Sequence, residues 1–481
     1  MYVPQYDNEP DILRLLDLEE EEVCITDIHE ENHCKYVTIE TKPVAHYCPL
    51  CSYKMYSKGI KTRTVNHPIL QDTYHLTLIL KQRRWKCSNP KCRYDIAEAF
   101  RFVSKNRRTT NATDMLIVLE YRKLTMSTAD IAAKFNVSDT YAHDVFDRYV
   151  RLDRLPLTVA VSVDEVHVEM DTNCKYALII QDFITGDPID LLQSRRSNIT
   201  EPYFANIPPD ERNGVKYLIS DMYNPYIAFV EKYFPNAVPV VDAFHVIQWV
   251  LTELDKYLRK LLKKYKDRDD ELEAKKSEEL GRPVHLPKSN EVYMLQKYRW
   301  LILANQSDIR YKTELKMDQN FHRLMNTFDY EDYLFKLDPT LQELRDLKEL
   351  YVSFNQRNGG NPIGAAKEID VLIDTYDACG QPIFENFARL LTKYKEPIIN
   401  SFVMIEKMSK TGTYKSRLSN GPIESINRKV KDLKRHGRGF RNFEHFRNRF
   451  LYATRSEPVL NGSEKADLSK YGVLEGNNGD T

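Results

Sequence analysis

The feature that most constrains this chain is a change of period. Apolar side chains recur at helical spacing from residue 113 to 150, then alternate in LTVAVSVDEVHVEM (157–170), YALIIQDF (176–183) and PIDLLQSR (188–195). Alternation marks a strand with one face in a core, so three successive strands joined by short polar turns are expected. A helix-like stretch at 201–213 leads to KYLISDM, a strand running into Asp221. NPYIAFVEKYF reads as a helix, AVPVVD as a strand ending in Asp242, and FHVIQWVLTELDKYLRKLLKKYK as a long helix. A meander followed by alternating strands and helices describes a mixed sheet carrying helices, within a multidomain α/β chain.

In the first of these strands, alternation puts Val163, Glu165 and His167 on one face and Asp164, Val166 and Val168 on the other. Asp164 thus interrupts an apolar, inward set, which is costly unless the acid is paired or binds a metal. Asp221 ends a buried-looking strand, the place where open sheets put their ligand sites.

A third acid sits in KSRLSNGPIESINRKVKDLKRHGRGFRNFEHFRNRF (415–450). From Pro422 this reads as an amphipathic helix, with proline in the first turn where its missing N–H costs nothing. Ile423, Ile426, Val430 and Leu433 form one apolar stripe. Glu424, Arg428, Lys431 and Arg435 lie on roughly the opposite face. Between Lys415 and Arg449 there are eleven Lys/Arg against Glu424, Asp432 and Glu444, an electrostatic footprint for a polyanion. Carboxylates from a strand, a strand end and a helix can together hold two divalent cations against a scissile phosphate. Hard oxygen ligands select magnesium or manganese.

The eight cysteines include two close pairs, Cys48-x2-Cys51 and Cys87-x4-Cys92. Two such pairs on hairpin ends can close a tetrahedral thiolate site for one structural zinc. His46 and His67 are spare ligands nearby. Cys24, Cys34, Cys174 and Cys379 are scattered and read as small buried groups. Residues 81–108 carry ten Lys/Arg, among them Arg83, Arg84, Lys86, Arg107 and Arg108, against Asp95 and Glu98. That balance makes DNA the natural partner. TDMLIVLEYRKL, STADIAAKF with a Ser127 cap, and DTYAHDVFDRYV then match a helix-turn-helix, with residues 139–150 as the groove reader.

Net charge is zero over 481 residues, but it is segregated. Residues 1–31 carry eleven acids against Arg14 alone, so overall neutrality does not argue against nucleic acid. No apolar run approaches the roughly 20 residues of a membrane helix and no signal peptide is evident; a cytoplasmic location is expected. Residues 251–405 read as helical, charged and rich in Tyr and Leu, with no strand signal. After about 456 the chain turns polar, and a loose tail is expected.

LISDMYNPYIAFVEKYFPNAVPVVDAFHVIQWV and SNGPIESINRKVKDLKRHGRGFRNFEHFRNRF closely resemble bacterial insertion-sequence transposases of the ISL-three family. CPLC…RRWKCSNPKC and VSVDEVHVEM match that family's zinc ribbon and first-acid strand, and the resemblance spans about residues 45–455. It implies a ribonuclease-H-like core with a helical insertion before the last acid, and DDE chemistry on two Mg2+ or Mn2+ ions held by Asp164, Asp221 and Glu424. Asp242-Ala-Phe-His245 looks like the D-x-x-H signature found after the second acid, which makes Asp242 a motif residue. His245 then either orients DNA or a catalytic group, or simply bonds at a helix start. The resemblance also gives the zinc ribbon and helix-turn-helix the element's terminal inverted repeats. Arg428, Lys431, Lys434 and Arg435, with Arg438 and Arg441 beyond them, would hold phosphates beside the site. The implied reaction is hydrolysis at the element ends followed by attack of the 3′-hydroxyls on target DNA, with a homodimer or larger assembly on paired ends.

The expected order is therefore an acidic lead and hairpin (1–45), a zinc ribbon (46–108), a helix-turn-helix (109–152) and the first part of the core (153–250). A helical insertion (251–405), the rest of the core with the Glu424 helix (406–456) and a flexible tail (457–481) follow. The rival readings are an inactive, transposase-derived DNA-binding regulator and a nuclease that cuts without joining.

Overall fold

In a computed structural model of the chain, the residues described are 12–14, 23–42, 44–68, 75–171, 174–409, 411–437 and 439–463. The first sheet runs β1 (Val23–Glu31), β2 (Cys34–Thr41), β3 (Met55–His67), β4 (His75–Cys87) and β5 (Asp95–Ala97). β1 and β2 form the expected hairpin, turning at Asn32 and His33, both at positive φ. β2 then pairs in parallel with β4, which also pairs with β3 and β5. The hairpin and the cysteine-bearing strands are therefore one sheet, and the boundary expected at residue 45 falls inside it.

Three helices follow: α1 (Asn111–Glu120), α2 (Thr128–Lys134) and α3 (Asp139–Tyr149). Ser127 caps α2 in a reciprocal capping box with Asp130, and Ser138 caps α3. α1 ends at Glu120, before the Leu124 of the expected helix, because residues 121–126 turn back over the last helix of the chain.

The second sheet has the order β10-β9-β6-β7-β8, formed by β6 (Ala160–Asp171), β7 (Cys174–Asp182), β8 (Pro188–Leu192), β9 (Tyr217–Ser220) and β10 (Val238–Val241). β6, β7 and β8 are an antiparallel meander; β9 and β10 add in parallel on the other side of β6. Between them lie α4 (Ser197–Ala205) and α5 (Asn224–Tyr233). On one face Val161, Val163, Leu178 and Ile180 pack against Phe204, Tyr226, Phe229 and Val230. On the other, Val166, Val168, Ala177 and Ile179 meet Ile423, Ile426, Val430 and Leu433. The stripe read in the sequence is thus the buried face of the Glu424 helix, each side chain contributing roughly 1.5–3 kcal/mol on burial.

α6 (Ala243–Leu280) runs for 38 residues and stops at Gly281, whose φ of 62° is the left-handed cap that glycine adopts without strain. Val246, Val250 and Leu254 fasten its first half to the helices of the insertion through Leu344, Tyr351 and Phe387. The insertion is not wholly helical: Lys316–Asp318 pairs with Arg323–Met325 in a small hairpin that three-residue strands do not announce in a sequence. A second hairpin, β11 (Met404–Ser409) with β12 (Gly412–Arg417), leads into α7 (Gly421–His436), followed by α8 (Phe443–Thr454). Residues 456–463 are not loose: Asn461 bonds Arg151 and Asp153, and Gly462 lies so close that a Cβ there would meet Arg148 O at 2.2 Å. Among the described residues no helix is long and apolar enough to cross a membrane.

Candidate active site

Asp164 and Glu165 sit side by side on β6 and face opposite ways, as alternation requires. Glu165 accepts a hydrogen bond from Tyr226 Oη at 2.7 Å and pairs with Arg195. Asp164 instead faces α7, where Asn427 Nδ2 donates to its Oδ2 at 2.5 Å. Burial and the charge of Asp221 push the Asp164 carboxyl up to about 6.

Asp221 follows the last residue of β9, the strand that pairs with β6. Its Oδ1 accepts from Asn420 Nδ2 at 2.8 Å and lies 2.6 Å from His245 Nε2. His245 stands in the first turn of α6, with Nε2 4.0 Å from Glu424 Oε1. Burial disfavours the imidazolium, but Asp221, aided by Asp242 and Asp164, outweighs it and raises the His245 pKa. Asp242 has a different task. One oxygen caps α6 by accepting from Phe244 N at 3.0 Å; the other accepts from Asn420 N at 2.8 Å. Both of its oxygens hold backbone, whereas the Asp221 contacts fall on Oδ1.

Strand, strand end and helix are linked through polar contacts: Asn427 to Asp164, Asn420 to Asp221, and His245 to Asp221 and, at 4.0 Å, to Glu424. Sequence reasoning passed over Asn420 and Asn427. They flank Glu424 at i−4 and i+3, spacings that share a helix face. Asn420 is 0% exposed and Asn427 8%, and among the described residues neither amide oxygen has a hydrogen-bond partner. A buried polar atom left so costs roughly 1–3 kcal/mol. Three carboxylates with further oxygens close by suit a hard divalent cation.

The four close-paired cysteines also converge. Cys48 Sγ lies 3.7 Å from Cys92 Sγ, and Cys51 Sγ 3.4 Å from Cys87 Sγ, with all four sulfurs within 4.8 Å of one another. Tetrahedral zinc thiolates would be separated by about 3.8 Å, so the cluster could hold zinc. The Tyr53 backbone N–H lowers the Cys51 thiol to about 7, whereas burial raises Cys87 to about 12. His46 packs on Trp85 and His67 bonds Thr110 Oγ1 at 2.9 Å, so neither is a fifth ligand.

The expected basic residues divide. Arg428, Lys431, Arg435 and Arg441 are exposed, and Lys434 half-buried; Arg438 lies outside the described residues. Arg83 is engaged by Glu40 at 2.9 Å and Arg84 approaches Asp95 at 3.5 Å. Lys86 is half-buried, and Arg107 and Arg108 line a cleft against β3 with Lys61 and Arg63. Part of the density between 415 and 449 is not a polyanion footprint. Arg417 is held by Ser401 and stacks on Phe402, and Arg447 pairs with Asp190 at 2.6 Å. Arg449, 2% exposed, donates to the carbonyls of Tyr121, Lys123 and Met126, locking α8 to the three-helix unit.

The mixed sheet carries acids on a strand and at a neighbouring strand end, with a third on a returning helix, and the chain is similar to transposases. Residues 161–450 match the family model described as transposase, of the ISL3 type; they make up more than half of the chain, and the chain belongs to this family. It is 22% identical over 273 residues to the transposase for insertion sequence element IS1001 of Bordetella parapertussis, covering 56% of this chain and 55% of that protein. The chain thus spans about half the length of the curated relative it matches.

Proposed function

We propose that the protein is a DNA transposase that binds the terminal inverted repeats of an insertion sequence, cuts the ends, and joins their 3′-hydroxyls to target DNA. The observation that supports this reading is that the start of α7, which carries Glu424, bonds Asp164 and Asp221 through Asn427 and Asn420 within the matched residues, with His245 between Asp221 and Glu424. The strand order, an antiparallel meander extended by two parallel strands, supports reading the sheet as a ribonuclease-H-like core. Asp164, Asp221 and Glu424 would hold two magnesium or manganese ions. Bound there, these would activate the attacking oxygen and stabilise the leaving one. Asp242 shapes the site, by capping α6 and tethering Asn420. His245 offsets the negative charge at Asp221 and Glu424. Arg428, Lys431 and Arg435, exposed on the same helix as Glu424, would seat the DNA backbone beside the acids. The thiolate cluster, with zinc, would brace the first sheet so that its basic cleft and α3 engage the element ends.

The test is a cleavage and strand-transfer assay on labelled element ends with magnesium, using zinc-replete protein. Metal-dependent products are expected from wild type and none from Glu424→Gln, with end binding intact. Wild type that binds ends but cuts under no divalent metal would establish the regulator reading instead.

A further inference from the structure

We propose that Asn420 and Asn427 are positioning residues of the divalent-metal site, an amide bracket that fixes the two aspartates relative to Glu424; this rests on the function proposed above. The three residues are Asn420, Glu424 and Asn427, on one face of the start of α7. Asn420 Nδ2 holds Asp221 Oδ1 at 2.8 Å; Asn427 Nδ2 holds Asp164 Oδ2 at 2.5 Å. The helix that delivers Glu424 therefore grips both other acids, each by a neutral donor.

Neutral donors matter here. At Asp164, a lysine or arginine would neutralise the carboxylate and compete with a metal; Asp221 already faces His245 at 2.6 Å, and a second cation there would compete further. An amide N–H orients one oxygen and leaves the carboxylate its charge. Asn420 is also pinned from behind, its backbone N–H bonding Asp242 at 2.8 Å, so the bracket is anchored to the start of α6. Both amide oxygens are buried and without partners among the described residues. Each lies beside the carboxylate its own nitrogen holds.

The experiment is Mn2+ titration of the full-length, zinc-loaded protein, by calorimetry and by the paramagnetic resonance of free Mn2+. The variants are Asn427→Leu, which keeps the side-chain volume, and Asn420→Ser, with Asp164→Asn as the reference for loss of the site. Partners that orient metal ligands typically contribute about 10- to 100-fold in affinity. Each asparagine variant should weaken Mn2+ binding by that factor, while the metal-free melting temperature and metal-free binding to element-end DNA stay at wild-type values. A merely structural role would lower all three together, and that pattern overturns the proposal. Wild-type Mn2+ affinity in both variants also overturns it, leaving the transposase reading intact. Absence of any Asp164-dependent Mn2+ site in wild type overturns the metal reading itself and the bracket with it.

Discussion

His245 Nε2 lies 2.6 Å from Asp221 Oδ1, and Glu424 Oε1 is 4.0 Å from the same nitrogen. A histidine from the start of α6 thus stands between two acids delivered by different elements. When protonated, it places positive charge between the two acids. Because the His245 pKa is raised, its stabilising contribution is fully present below the ordinary imidazole value, about 6.5. It is lost as pH rises through the raised value. In magnesium-free buffer, His245→Gln should therefore melt below wild type by a margin that is largest near pH 6 and shrinks toward pH 9. A margin that does not change with pH would show that the charge has no part in it.

Asp164 is raised in pKa as well, but here it is the neutral form that folding favours. Its pKa, about 6 in the folded chain against about 3.9 for a free side chain, means that ionisation is disfavoured by folding. Stability from the protonated form is complete below the unfolded value and disappears as pH rises through about 6. Asp164→Asn should raise the metal-free stability at pH 7 by about 1–2 kcal/mol, read from denaturant melts. Mn2+ binding to wild type should weaken below pH 6, releasing from Asp164 about half a proton at pH 6 and close to one below about pH 5.

The thiolate cluster predicts one zinc per chain by elemental analysis. Cobalt substituted for it should show the charge-transfer absorption of a thiolate site. Cys51→Ser should lose the metal and the hydrogen-exchange protection of β1–β4, while β6–β10 stay protected. The two sheets have separate buried clusters, so the damage should remain local.

Arginines on neighbouring helices should behave in opposite ways. Arg428→Ala, at an exposed position of α7, should leave stability within about 0.5 kcal/mol. It should weaken binding to element ends and make the salt dependence shallower by about 0.9 for each phosphate no longer neutralised. Arg449→Met should lower stability by about 3 kcal/mol or more, because it strands three carbonyls that a buried guanidinium now satisfies. Denaturant melts and salt-dependent fluorescence anisotropy separate the two outcomes.

Much of this was legible in the chain because it depends on period and spacing. The alternation of 157–170 determined which face Asp164 takes, and the Ile423–Leu433 stripe determined which face of α7 is buried. The Ser127 cap placed the start of α2, and two cysteine pairs sufficed to expect one cluster. These are local consequences of residue chemistry, and distance along the chain carries them.

Other features needed the third dimension. Nothing local distinguishes Arg449 from Arg428; only the packing of α8 against the carbonyls after α1 buries one and leaves the other exposed. Nor does sequence say that Asp242 gives both oxygens to backbone while Asp221 meets His245, since both acids end short apolar strands. Asn420, just before α7, and Asn427, within it, carry no mark in the sequence; β6 and β9 supply the carboxylates they hold, 199 residues away for Asn420 and 263 for Asn427. The sequence by itself determined the elements, their buried faces and the acids each could offer. The tertiary structure alone decided which polar groups meet and which cations remain exposed, because hydrogen bonds and burial depend on partners that chain order does not reveal.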